Sequence, residues 1–337
     1  MIRVAVDAMG GDSAPRAEID GALQALAALP GRLTVQLVGR PDAIRAELAR
    51  HPEADHSRLE IHPAADVIGM GEKPLTAIRR KPDSSIVVGL GFQKAGRSDA
   101  FLSAGNTGAV LAASTMILGL HDGVERATVA TLFPTGGQPL LVLDAGANLE
   151  CSVRELVGFA YLGTVYMRDL HRRPNPAVGL LNLGEEEEKG TMTVRQAHQL
   201  LKVAPRLNYV GNIEGRDILP GPQQRLPVDV VVCDGFVGNV VLKFYESAAH
   251  LFVALLKDRA PDVFERPSIH ELVRVLDYST YGGAPLLGIR GVSIICHGAS
   301  TATAIKNGIL VALQAAEAGL SQHIGAEFAL RETAERA

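Results

Sequence analysis

The sequence predicts an α/β protein built on a mostly parallel sheet, and three observations carry that reading. Short runs rich in Val, Leu and Ile end repeatedly in one polar residue beside glycine, and a helical pattern follows. The runs are too uniformly apolar for strands with one wet face, so they read as strands buried on both sides. One pair, Val129–Phe133 and Leu140–Asp144 around Thr135-Gly136-Gly137, reads as a hairpin and makes the sheet mixed.

Taken in order, Val4–Asp7 is a strand, Ala8–Pro15 a glycine-rich loop, and Arg16–Leu29 a helix with Ile19, Leu23 and Leu26 at helical spacing. Leu33–Val38 is a strand, Gly39-Arg40-Pro41 leads into a helix to Arg50, and Leu59–His62 is extended. Lys73–Arg80 is a short helix, after which Ser84 or Ser85 N-caps the helix Ile86–Ala95. Ala100–Ser103 is a strand, and Asn106-Thr107 opens an Ala-rich helix to Leu118. Past the hairpin come a long helix from Ser152 to Asp169, a strand Val178–Leu183, a helix Thr193–Leu201 and an extended Leu207–Val210.

Val228–Val232 is the most uniformly apolar strand; it stops at Cys233-Asp234-Gly235 and turns at once into a helix. Val241–Asp258 and Val263–Leu276 read as two helices joined at Ala260-Pro261. Ser293–Cys296 is the last strand, followed by helices Ser300–Ala318 and Ser321–Glu335. No internal repeat and no Pro-, Gly- or Ser-rich linker marks a cut, so one domain is expected over 1–337, with a helical hairpin at 240–277.

Seven strand ends share the apolar–polar–glycine pattern: VAVD-AMGGD, AFLS-AGNTG, LLVLD-AGAN, GLLN-LG, NYV-GNIEG, VVVCD-GFVGN and SIIC-HGAS. In an open α/β sheet ligands bind outside the carboxyl ends of the strands. A strand that turns directly into a helix aims backbone N–H groups and a helix N-terminus at that place, which suits an anion. The seven ends together describe one polar rim.

Composition narrows the chemistry. The 337 residues carry a net charge of −4 and 4% aromatic residues, so neither electrostatics nor base-stacking platforms point to nucleic acid. Three scattered cysteines form no disulfide framework or zinc cage, and no metal is expected. No apolar run reaches the ~18 residues of a membrane span, and the N-terminus enters a strand bearing Asp7, so a cytoplasmic protein is expected. The first loop, Gly10-Gly11-Asp12, lacks the dinucleotide fingerprint, and GEEEEKGT at Gly184–Thr191 sets carboxylates where a P-loop holds phosphates. Cys296 and His297 are neighbours on a strand and face opposite ways, while Cys233, at the end of an all-Val run, reads as a small buried hydrophobe.

What remains is a rim of neutral donors and isolated charges: Ser103, Asn106, Thr107, Asn148, Asn182, Lys189, Asn212, Asn239, Lys243, His297 and Ser300. Such donors suit a phosphate or a developing oxyanion. Asp144, Glu214 and Asp234 order donors or handle a proton.

Eight motifs in order, DAMGGD (Asp7–Asp12), RRKPDSS (Arg79–Ser85), SAGNTGA (Ser103–Ala109), LDAGAN (Leu143–Asn148), GNIEGRD (Gly211–Asp217), DGFVGN (Asp234–Asn239), YGGAPLLG (Tyr281–Gly288) and HGAS (His297–Ser300), span the chain. Together they resemble the bacterial phosphate acyltransferases (acyl-ACP:phosphate transacylases) of phospholipid synthesis. The resemblance implies reversible transfer of a fatty acyl group from acyl carrier protein to inorganic phosphate, with no cofactor. It implies a three-layer α/β/α sandwich like the phosphotransacetylases and isocitrate/isopropylmalate dehydrogenases, a homodimer, and a membrane glycerol-3-phosphate acyltransferase that consumes the acyl phosphate.

Direct attack of phosphate on the thioester is the expected mechanism. His297, Asp234, Asn212 and Asp144 are the catalytic candidates, with Asn106, Thr107, His297 and Ser300 facing phosphate or oxyanion. Ser103, Asn148, Asn182, Lys189, Glu214, Gly235, Asn239 and Lys243 complete the substrate rim. Arg79, Arg80 and Lys81 form the densest basic patch for docking an acidic carrier protein. Leu251, Phe252, Leu255, Leu256, Val263 and Phe264 offer an apolar surface, read first as a dimer interface and second as a peripheral membrane contact. The rival readings are a short-chain phosphotransacetylase acting on acyl-CoA, an oxidoreductase of isocitrate-dehydrogenase type, and a non-catalytic acyl or phosphate binder.

Overall fold

The computed structural model describes residues 1–337 apart from 136–137, 220–226, 277–281 and 337. Although no linker signals a division, the chain folds as two compact units: Met1–Ala127 with Tyr281–Ala337, and Thr128–Thr280.

The first unit begins β1 (Ile2–Asp7), α1 (Arg16–Ala28), β2 (Leu33–Gly39), α2 (Pro41–Leu48), β3 (Leu59–Pro63), α3 (Pro74–Arg80), α4 (Ser85–Lys94), β4 (Ala100–Ser103) and α5 (Thr107–Leu118). The second unit supplies β5 (Thr128–Val129), β6 (Thr131–Phe133), β7 (Leu140–Leu143), α6 (Val153–His171), β8 (Ala177–Leu181), α7 (Met192–Lys202), β9 (Asn208–Ile213), β10 (Val230–Val232), α8 (Gly235–Arg259), α9 (Pro261–Phe264) and α10 (Pro267–Leu276). The chain then returns to the first unit with β11 (Ala284–Leu287), β12 (Ser293–Ile295), α11 (Ala302–Glu317) and α12 (Leu320–Arg336).

In the first unit the strands lie in the order β3-β2-β1-β4-β12-β11, parallel except for β11 against β12. Val4, Ala5 and Val6 are all fully buried, as are Ala100 to Leu102, so both faces of the sheet are covered. The pairs α1 with α11 and α4 with α5 provide that cover. In the second unit the order is β6-β7-β10-β8-β9, parallel except for the predicted hairpin partner β6. Val230, Val231 and Val232 lie at its centre with no exposure. The sequence suggested one mixed sheet; the strands form two.

Helix starts follow their caps. Asn106, Ser152, Thr191, Asp234 and Thr301 each accept a backbone N–H at the start of α5, α6, α7, α8 and α11, and Ser152 forms a capping box with Glu155. Ser84 occupies the N-cap position of α4, but its hydroxyl makes no capping bond.

Three other departures have local causes. The strand expected to end at Val210 runs on to Ile213, because a bulge and the left-handed Gly211 carry it past the glycine that read as its end. The second helix of the expected hairpin is cut in two, with Pro267 starting α10. The short β11 went unread because Pro285 looks like a breaker. Gly136 and Gly137 of the hairpin turn, and Tyr281 of YGGAPLLG, lie outside the described residues.

Helix α8 is long and apolar enough, by length and composition, to cross a membrane, and little of it is buried. Its exposed residues include Phe236, Val240, Phe244, Leu251, Phe252 and Leu255.

The first turn of α8 packs backbone to backbone on the β7 end. A Cβ at Gly238 would run into the Asp144 carbonyl, and one at Gly235 would reach within 2.9 Å of the Asp144 carboxylate. Gly91, inside α4, has open space around it. Gly238→Ala is therefore expected to cost about 3 kcal/mol or more by overpacking, whereas Gly91→Ala stabilises by up to about 1 kcal/mol through helix propensity. Urea unfolding midpoints of the two variants check this contrast.

Candidate active site

In the first unit the parallel register sets Val6 beside Leu102, and Ser103 beside Ile295, so Asp7, Ser103 and Cys296–His297 emerge at neighbouring strand ends. The Asp7 carboxylate is fully buried. It accepts the Met9 N–H at 3.0 Å and the Ser103 hydroxyl at 2.7 Å, and Ser103 Oγ in turn accepts the Gly105 N–H. Burial pushes the Asp7 pKa up. Gly10 is required here, since a Cβ would stand 2.7 Å from the Gly105 nitrogen. The Asp12 N–H donates to the Gly298 carbonyl at 2.8 Å and ties this loop to the HGAS turn.

Asn106 joins a third loop to the same place. Its Oδ1 caps α5 through the Ala109 N–H, while its amide donates to the carbonyls of Gly69, Met70 and Glu72 at 2.9–3.2 Å. The expectation that Asn106 faces phosphate is thereby corrected: its side chain is consumed in clamping residues 69–72 to the helix. Ser103 is likewise spent on Asp7 and Gly105. Thr107 stays exposed at the first position of α5. His297 is exposed, and its Nδ1 accepts the Ala299 N–H at 3.2 Å, which leaves the ring proton on Nε2 as an outward donor. Ser300 follows on a turn closed by its own N–H to the His297 carbonyl, next to Thr301, the N-cap of α11. The loops carry helix N-termini and neutral donors, the chemistry of an anion site.

Sequence reasoning missed Glu18. It sits in the first turn of α1 and is 1% exposed; Oε1 accepts the Gly11 N–H, and Oε2 has no hydrogen-bond partner. Burial lifts its pKa to about 7. The signal was present, since Glu18 shares a helical face with Ala22 and Ala25, both buried.

In the second unit the register places Leu143 beside Val232, Val232 beside Leu180, and Leu180 beside Asn212. Asp144, Cys233–Asp234, Asn182 and Asn212 thus line one edge. Asp144 is buried and accepts N–H groups from Val129, Gly146, Ala147 and Asn148, plus the Asn148 amide, at 2.7–3.2 Å. With both oxygens engaged it orders donors and is not placed to move a proton, which corrects the expectation that Asp144 is catalytic. Gly235 donates to the Asn148 carbonyl. Asp234 caps α8 through Oδ1 to the Val237 N–H.

Asn182 donates to the Lys189 carbonyl, and its Oδ1 accepts the Leu183 N–H. Asn212 donates to the Glu186 carbonyl, with a buried Oδ1 that has no partner. Glu214 accepts from Arg216 at the start of a 3-10 turn. Asn239 packs on Gly146 and stays exposed, and Lys189 is exposed. Lys243 is a correction, because its ammonium pairs with Glu246 one turn along the same helix. Lys81 is another: it bonds the Val67 carbonyl and Glu72, so only Arg79 and Arg80 of the basic patch are exposed.

A cavity of about 500 Å3 opens in this unit between α6, α7 and α8. Cys151 and Cys233 line it. Burial raises the Cys151 thiol to about 12, raises Cys233 well above the usual range, and raises Cys296 in the first unit to about 12. None is placed to be a thiolate nucleophile.

An α/β scaffold with mixed, mainly parallel sheets and polar strand ends defines the class, and solved structures share it. A phosphotransacetylase from Streptococcus pyogenes is 15% identical with a TM-score of 0.64, covering 94% of each chain. A branched-chain phosphotransacylase from Enterococcus faecalis is 12% identical with a TM-score of 0.61, covering 94% of this chain and 99% of that one. At such identities the likeness shows the fold.

The chain belongs to the fatty acid synthesis protein family, whose model matches residues 2–323. Similar curated proteins are the phosphate acyltransferases of Heliobacterium modesticaldum, 46% identical over 96% of this chain and 98% of that protein, and of Synechococcus elongatus, 43% identical over 96% and 93%. The chain is thus a member of a family of acyltransferases.

The Glu18 carboxyl yields a pH signature. Between about pH 4.5 and about 7 the unfolded chain has released this proton while the folded protein retains it, so stability falls as pH rises through that window and levels off above it. Glu18→Gln cannot ionise and lacks the decline. Its stability relative to the parent is expected to rise between about pH 4 and about 8 by up to about 3 kcal/mol, read from urea unfolding at each pH.

Proposed function

We propose that the protein transfers a fatty acyl group from acyl carrier protein to inorganic phosphate, releasing the carrier thiol and acyl phosphate. The observation that carries this reading is the first unit's rim, where the glycine-rich loop, the starts of α5 and α11 and the His297 Nε2–H donor are drawn together. Such a rim binds an anion through oriented N–H groups.

Free phosphate loses its second proton near neutral pH (second pKa about 6–7), so a substantial dianionic fraction is at hand and needs little help from a base. Its oxygen attacks the thioester carbonyl carbon, and the C–S bond breaks from the tetrahedral intermediate. The thiolate (thiol pKa about 8.5) leaves and takes a proton from solvent. His297 stabilises the oxyanion. The protonated state of all three thiols supports direct attack over an acyl-cysteine route. As in the resembled family, the acyl phosphate goes on to a membrane glycerol-3-phosphate acyltransferase in phospholipid synthesis, and the working form is a cytoplasmic homodimer whose interface includes the exposed face of α8.

In a thiol-release assay with an acyl-carrier donor, turnover is expected to require phosphate, and His297→Ala to lower kcat/KM by about 10²-fold. A radiolabelled acyl group found on quenched protein would contradict direct attack.

Arg79 and Arg80 serve carrier docking. Arg79→Glu/Arg80→Glu is expected to raise KM for the carrier-linked donor about tenfold while leaving acyl-CoA unaffected. Equal effects on both donors, in steady-state kinetics, would remove the docking role.

A further inference from the structure

The first unit's rim sets an anion site against carboxyl groups. Asp7 and Glu18 are buried and Asp12 is exposed. The two buried carboxyls lie directly under successive glycines of the loop. A Cβ at Gly10 would stand 2.5 Å from Asp7 Oδ2, and one at Gly11 would run into Glu18 Oε1 and reach within 3.4 Å of the Gly298 carbonyl oxygen. Glu18 therefore sits where the glycine-rich loop meets the HGAS turn. Two charged carboxylates at this depth would oppose a bound dianion.

Hydrogen bonding separates the two. Asp7 has donors on both oxygens, the Met9 N–H on Oδ1 and the Ser103 hydroxyl on Oδ2, and these favour its ionised form. Glu18 Oε1 accepts the Gly11 N–H, but Oε2 is buried with no partner. A charged oxygen without water or donor is costly, so Oε2 is where a proton belongs. The burial that lifts Glu18 to about 7 agrees with that placement.

We propose that Glu18 is a positioning residue that couples anion binding to a proton: neutral Glu18, acting through the Gly11 N–H, lets the glycine-rich loop accept phosphate, and ionised Glu18 opposes it. The assignment rests on the phosphate-binding reading of the rim. By reciprocity, bound phosphate holds the proton on Oε2.

The charged and titratable groups around Glu18 are few. Asp7 and Asp12 both raise its pKa, and the Cys296 thiol on the β12 side is itself pushed up to about 12. On the same helix Arg16 and Asp20 pair with each other at 3.9 Å. Helix α11, packed on α1, carries Lys306 near its start and Glu317 at its end, the latter paired with Arg32. His297 lies on the turn that the Asp12 N–H binds.

The test measures sulfate binding by calorimetry, because sulfate stays dianionic while phosphate changes charge. Glu18 is neutral below its folded pKa, so parent affinity falls as pH rises through about 7. The ratio of parent to Glu18→Gln dissociation constants is expected to rise about tenfold between about pH 6 and about pH 8.5. His297 and Asp12 are common to both proteins and cancel in that ratio, and a purely structural role for Glu18 would leave it constant. A constant ratio overturns the proposal. Should Glu18→Gln not fold, His297→Ala, which removes the imidazole from the rim, is expected to keep the fall in affinity, and pH-independent binding in that variant overturns the coupling. Parent protein that binds no sulfate at any pH overturns the proposal together with the anion rim. Parent protein that binds sulfate but releases no carrier thiol defeats the acyl-transfer reading alone.

Discussion

A buried aspartate at the carboxyl end of an interior strand is the constraint on which each unit depends. Asp7 ends β1 and Asp144 follows β7, both without exposure. A carboxylate removed from water must find donors, and a glycine-rich turn leaving a strand has N–H groups with no ladder partner. Each solves the other's problem. At Asp144 five donors converge, and a buried donor left unpaired costs about 1–3 kcal/mol. The loop shape is therefore fixed by hydrogen bonding rather than by contact with a ligand. The glycines follow from this: Gly10, Gly235 and Gly238 lie where the gathered backbone leaves no room for a side chain.

Much of the fold was legible because its signals are local. Uniformly apolar runs gave the strands, and Asp234, Thr301 and Ser152 sit at helix starts that their own side chains cap. What could not be read was set by partners distant in sequence. The division into two units depends on how β11 and β12 rejoin β4 after the chain has built another sheet. The bulge that prolongs β9 is visible only against β8.

The site was legible in residue type more than in role. The strand-end motifs picked out loops that do follow strand ends in the structure, yet Asn106, Ser103 and Asp144 turn out to hold those loops in place. A polar residue beside glycine signals both a ligand site and the scaffold of one, and composition cannot separate them. Lys81 and Lys243 illustrate the same limit, since the carboxylate partner of Lys243 lies one helix turn away and that of Lys81 at the far end of α3. Glu18 was overlooked for the opposite reason: an acid in a first helical turn is ordinarily a solvated dipole partner, and that expectation outweighed its place on the helical face of Ala22 and Ala25, where it is buried.

The preference for neutral donors at the first unit's rim follows from the proposed reaction. Phosphate is present in both the attacking substrate and the acyl phosphate product, so a cationic clamp on it would bind both states. Uniform binding of that kind lowers KM without raising kcat and slows product departure. The lysine that braces this rim, Lys81, spends its charge on Glu72 and the Val67 carbonyl. Backbone N–H groups and an imidazole N–H can instead be aimed where charge appears only in the tetrahedral intermediate. A site stiffened by a buried aspartate, with its donors fixed before substrate arrives, meets that requirement with no reorganisation of the loop.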